Sequence, residues 1–121
     1  MGKFEKIKTE AGFHFVLKND KDELIGTSEV YTSEAACDNG IRSVVANGPI
    51  AELEDQAIEG FATVKNPKIV VSAEKGGKFH IVLTATNGEP ILSCQSYADE
   101  KEALEGVKEV RLNAAGGFVV K

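Results

Sequence analysis

The sequence predicts an α+β fold: two tandem β-β-β-α-β repeats form one mostly antiparallel sheet, with both helices on one face and the C-terminal strands exchanged between repeats. Three observations predict it. Phe13–Asn47 lies over Phe79–Asn113 at a constant offset of 66 with 11 identities in 35 ungapped positions, where ordinary residue frequencies give about two. Within each copy, short segments of alternating apolar residues precede a segment of helical spacing. The same offset sets Phe118–Lys121 over Glu52–Asp55, so a fourth strand follows each helix.

The elements follow in order. Phe4–Lys8 and Ile69–Ala73 read as first strands, closed by Ala11-Gly12 and Gly76-Gly77, where glycine accepts the positive φ of a tight turn. In the second strands Phe13, Phe15 and Leu17, and in the other copy Phe79, Ile81 and Leu83, alternate with polar or smaller residues. This set faces the core, because a one-residue slip would expose all six. Asn87-Gly88 is the strongest hairpin signal, and Asn19–Asp22 takes its place in the first copy. Third strands run over Glu23–Ser28 and Glu89–Cys94.

Ser33 caps the first helix, and Asp99 with Glu102 resembles a capping box at the second. Cys37, Gly40, Ile41 and Val44, like Ala103, Gly106, Val107 and Val110, form one apolar stripe per helix. The mid-helix glycines each cost about 1 kcal/mol relative to alanine. Their repetition implies close approach of the helix backbone to the sheet or to the other helix. Neither half is large enough to hold a core alone, so exchange of the fourth strands is expected, and deleting Phe118–Lys121 is expected to unfold the whole domain.

With 121 residues, 42% of them hydrophobic and 27% charged, the chain fits one globular domain. It divides into repeat one (2–58), a linker (59–67) and repeat two (68–121). There is no signal-like apolar run near Met1, and Cys37 and Cys94 have no metal or redox spacing, so a cytoplasmic location with reduced thiols is expected. The formal charge is −5. Such a balance disfavours a nucleic-acid backbone as partner, and no segment is long enough for a membrane span. The joining segment is the acidic part, with Glu52, Glu54, Asp55 and Glu59 against Lys65. It reads as a solvated strand and loop, or as a surface for a basic partner.

Four residues are candidates for a surface site. His14 and His80 occupy equivalent strand positions opposite the aromatics, and imidazoles ligate metals and transfer protons near neutral pH. No base, nucleophile or third ligand has a motif nearby, so the plain reading is a solvent-facing strand pair. Tyr31 and Tyr97 lead into the helices, where a ring packs while its hydroxyl reaches a partner. Glu34 and Glu100 suit the first helical turns. The two cysteines read as small core residues. Nothing assigns a catalytic residue, cofactor or metal.

Together these residues resemble the YegP-like family, an uncharacterised bacterial group of tandem β-β-β-α-β units. The resemblance is carried in the first copy by Lys3-Phe4-Glu5, Tyr31-Thr32-Ser33, Asn39-Gly40-Ile41 and Asn47-Gly48-Pro49. In the second it is carried by Asn66-Pro67-Lys68, Gly77-Lys78-Phe79, Asn87-Gly88-Glu89 and Tyr97. It implies the exchanged-strand sheet and no established reaction or ligand. The chain departs from the family where His14 and His80 stand in place of a frequent Arg, and in its second helix. The functional expectation is a non-enzymatic protein-interaction or self-association module, monomeric or homodimeric. The alternative is a binder of a small ligand or metal at the crevice between the repeats, where His14 and His80 could meet.

Overall fold

A computed structural model describes residues 2–120, the side chain of Gln95 excepted. The first repeat forms β1 (Lys3–Thr9), β2 (Gly12–Lys18), β3 (Leu24–Thr27), α1 (Glu34–Asn47), a single 3₁₀ turn at Gly48–Ile50, and β4 (Glu52–Asp55). The second forms β5 (Lys68–Ala73), β6 (Phe79–Thr84), β7 (Pro90–Tyr97), α2 (Glu100–Ala114) and β8 (Phe118–Val119). All eight strands join one sheet in the order β4-β5-β6-β7-β3-β2-β1-β8.

The strands β1, β2 and β3 meander antiparallel, as do β5, β6 and β7, and the two meanders join through the antiparallel pair Thr27 with Ser93. These two residues are themselves equivalent under the offset of 66, so a pseudo-twofold axis passes through that pair. The exchange is present: β4 runs parallel to β5 with Glu52 beside Lys68, and β8 runs parallel to β1 with Lys3 beside Phe118. Lys121, placed in the last strand by the offset, lies outside the described residues.

Turn chemistry explains how two different sequences make the same hairpin. Gly88 sits at φ 86° in the β6–β7 turn, and its equivalent Asp22 takes φ 67° in the β2–β3 turn, a conformation that Asn and Asp tolerate better than other non-glycine residues. Asn19 Oδ1 supports that turn by accepting from the N–H groups of Lys21 and Glu23. At α1 the Ser33 hydroxyl accepts from Ala36 N–H, and at α2 the Asp99 carboxylate accepts from Glu102 N–H. Glu102 reaches back to Ala98 N–H, one residue beyond the usual capping-box donor.

Both helical stripes close on one sheet face. Phe4, Phe15, Leu17, Ile81 and Leu83 are fully buried beneath Cys37, Val44, Ala103 and Val110. Two of the six expected strand residues depart from this: Phe13 and Phe79 stand at strand starts and are only partly buried against the core. No described helix is long and apolar enough to cross a membrane.

The two exchanged strands are unequal, which narrows the expectation for deletion. Across four pairs, β4 carries the buried Glu54 and Asp55. By contrast β8 makes two pairs, and Phe118, Val119 and Val120 remain 52%, 36% and 41% exposed. Removing residues 118–121 therefore costs about 1–2 kcal/mol, from partial burial of a few side chains, rather than the whole fold. Retained amide protection in residues 2–47, with a modestly lowered denaturant midpoint, is the expected result. Global loss of protection would show β8 to be essential.

Candidate functional site

The histidines do not meet. Val16, Thr27, Ser93 and Val82 form one row across the open sheet face, through the register of β2, β3, β7 and β6. His14 and His80 each lie two residues before that row on strands that run in opposite directions. They are thus separated by about 14 Å across three strand spacings and by about 13 Å along the strands. Their surroundings differ as well. His80 Nδ1 lies 3.1 Å from Ser72 Oγ and 3.1 Å from Glu74 Oε1. Ile7 faces His14 where Ser72 faces His80, and His14 Nδ1 is buried without a hydrogen-bond partner.

This geometry limits the chemistry. In a nucleophile–base–orienter relay, hydroxyl and carboxylate bind opposite ring nitrogens. Here Ser72 and Glu74 approach the same nitrogen. Among the described residues no group of three or more His, Cys, Asp or Glu is gathered for a metal. The alternative in which His14 and His80 meet at a shared crevice is excluded by the strand order, which puts two strands between β2 and β6.

Tyr31 and Tyr97 do occupy equivalent corners, and each explains a repeated glycine. The Tyr31 ring stacks on Phe15 at 6.3 Å between centroids, with its hydroxyl over Gly40. A Cβ on Gly106 would lie 2.6 Å from Tyr97 Cζ. The close approach is thus to the sheet side rather than to the other helix, made by the tyrosine of the same copy, with Phe15 of β2 also against Gly40. Burial raises the pKa of both phenols. The Cys94 thiol is pushed up to about 12 by burial, and Cys37 is raised by the same cause, so neither thiol is activated.

The acidic connector is not simply solvated. Glu54 is 2% exposed and its Oε1 accepts from Lys68 Nζ at 2.9 Å and from Val64 N–H at 3.0 Å, while Oε2 accepts from Gln56 Nε2 at 2.6 Å. The Gln56 amide, the Lys68 ammonium and the Val64 N–H together hold its carboxyl at about 2. Asp55 is also buried and accepts from Ala57 N–H. These two acids anchor the linker and leave only Glu52 and Glu59 of the segment exposed for a basic partner.

A crevice between the repeats does exist, away from both histidines. The β2–β3 turn and the start of β3 form one wall, the end of β7 and α2 the other, around a groove of about 390 Å³. Tyr97, Leu24 and Ile25 supply apolar surface there, and Glu23, Glu102, Glu105 and Glu109 supply charge. The groove continues past Glu109 into a second concavity of about 260 Å³, lined by Lys21 and Leu112 among others. Each wall alone was visible in the sequence, but only the fold sets them face to face.

Comparison with known proteins agrees with this architecture. The profile of the family described as "Domain of unknown function (DUF1508)" matches residues 9–55 and 74–120, one match in each repeat. The UPF0339 protein YegP of Escherichia coli O157:H7 is 36% identical over 119 residues, 98% of this chain and 94% of that protein. The UPF0339 protein PA0329 of Pseudomonas aeruginosa is 36% identical over 110 residues, 90% of this chain and 86% of that protein. The solution NMR structure of yegP from E. coli, a protein of unknown function, superposes with a TM-score of 0.78 at 32% identity, over 98% of this chain and 90% of that one. That of UPF0339 protein SO3888 from Shewanella oneidensis gives 0.77 at 30% identity, over 98% and 88%. Family profile, relatives and solved structures agree with the resemblance read from the repeats: the chain belongs to the YegP-like UPF0339 family, whose domain of unknown function it carries twice.

Proposed function

We propose that this protein is a non-catalytic interaction module that accepts an added strand along β8, from a second copy or from another protein. One observation carries the reading. At the sheet edge, the N–H groups of Phe118 and Val120 donate inward to Gly2 and Phe4, which leaves the N–H and C=O of Val119 pointing outward between three exposed apolar side chains. An edge of this kind is a template for strand addition. The opposite edge, β4, carries Glu52, Glu54 and Asp55, and charge on an edge strand discourages such pairing.

Val119→Pro tests this selectively. Proline removes the outward donor while both bonds to β1 remain, and edge strands tolerate it. Association should appear in wild type, as mass rising with concentration in sedimentation or as partner capture from the native cell. The variant should lose it while melting within a few degrees of wild type. If Val119→Pro changes neither self-association nor capture, the reading is wrong.

A further inference from the structure

Strand addition at β8 leaves unused the groove between the β2–β3 turn and α2. We infer that this groove is a second contact surface, independent of β8, which docks a basic segment of a partner protein: an extended stretch with Lys or Arg next to an apolar residue. Its floor is apolar and open, with Leu24 47% exposed beside the Tyr97 ring. A lysine or arginine stem packs on such surface while its charged head stays at the rim, and the ring face favours a cation.

The charge complementarity is specific to one repeat. At α2, Glu102, Glu105 and Glu109 line the groove, whereas the equivalent positions of α1 hold Ala36, Asn39 and Ser43. The scaffold is built in both copies, with tyrosine over glycine at each corner, so the fold itself does not require these carboxylates. Glu23, from the other repeat, completes the rim. Glu23, Glu102 and Glu109 each accept one neutral donor, from Asn19, Ala98 and Asn113. Glu105 meets Lys108 only at 3.7 Å on the exposed surface. Among the described residues no Lys or Arg lines the groove itself; Lys21 lines the adjoining concavity, which Glu23 and Glu109 also border, and forms no ion pair with either.

The test uses the full chain labelled for amide NMR and titrated with a peptide of alternating Lys and Leu. A Glu–Leu peptide, spermidine and calcium ion serve as separate arms. The Lys–Leu peptide should shift the amides of Leu24, Tyr97, Gly106 and Glu109 saturably. Glu105→Gln combined with Glu109→Gln should weaken that binding about tenfold, as two partly solvated ion pairs warrant. The same pair of substitutions should leave the behaviour of Val119→Pro unchanged, which separates this site from the β8 edge. Absence of shifts at millimolar peptide, or shifts scattered over all acidic surfaces, overturns the inference. So does equal binding of spermidine or calcium, which would mark the groove as a site for free cations.

Discussion

Replacing Lys68 by Met lowers folding stability by about 3 kcal/mol near neutral pH, the low end of the cost of breaking a buried ion pair. The low end applies because Lys68 keeps 18% of its side-chain surface in solvent, whereas Glu54 keeps 2%. Without the ammonium, the Glu54 carboxylate stays buried with only the neutral donors of Gln56 and Val64. Glu54→Gln is the milder change, since the released Lys68 can reach water. The pH dependence has a definite sign. A carboxyl held at about 2 in the folded state, against about 4.3 unfolded, adds stability above pH ~4.5 that is lost as pH falls toward 2. The gap between wild type and Lys68→Met in denaturant unfolding therefore narrows over that window. Equal costs for the two substitutions, or a gap independent of pH, would show that the pair does not tie the linker to the sheet.

Glu54 also shows where sequence reading stops. The strand Glu52-Leu53-Glu54-Asp55 is locally acidic, and acidity predicts solvent; the partners that bury it come from residues 64 and 68, brought near by the parallel β4–β5 pair. Elements governed by local chemistry were legible: the caps at Ser33 and Asp99, the turns at Gly88 and Asp22, and the stripes of both helices. Strand exchange was legible too, because a constant offset makes the two trailing segments equivalent. What the offset could not supply was direction and distance. It marked His14 and His80 as partners by symmetry, yet a twofold axis at Thr27 and Ser93 sends equivalent residues to opposite ends of the sheet. The groove stayed hidden for a related reason, since its acidic walls belong to different repeats and the α2 carboxylates Glu102, Glu105 and Glu109 have no counterparts in α1.

Substituting leucine at Gly106 destabilises the protein by about 1–3 kcal/mol through overpacking, and the tyrosine above it sets that cost. A Cβ at Gly106 would lie 2.6 Å from both Cζ and Oη of Tyr97 and 2.9 Å from Cε1. A Cβ at Gly40 would meet the Tyr31 hydroxyl, with Tyr31 Cζ at 2.7 Å and Phe15 Cε2 at 3.1 Å. Helix propensity pulls the other way, because alanine in place of a mid-helix glycine gains about 1 kcal/mol where space is free. Alanine therefore discriminates between the two corners. Tyr31 is pinned in a near-parallel stack on Phe15 and cannot swing aside, so Gly40→Ala should cost more than Gly106→Ala, where Tyr97 borders the open groove and has room to turn. A double-mutant cycle isolates the contact: Gly106→Leu in a Tyr97→Ala background should cost less than in wild type, with a coupling of about 1 kcal/mol or more. Strict additivity of the two substitutions in denaturant unfolding would mean that the ring does not hold the glycine in place, and that the reason for its repetition lies elsewhere in the core.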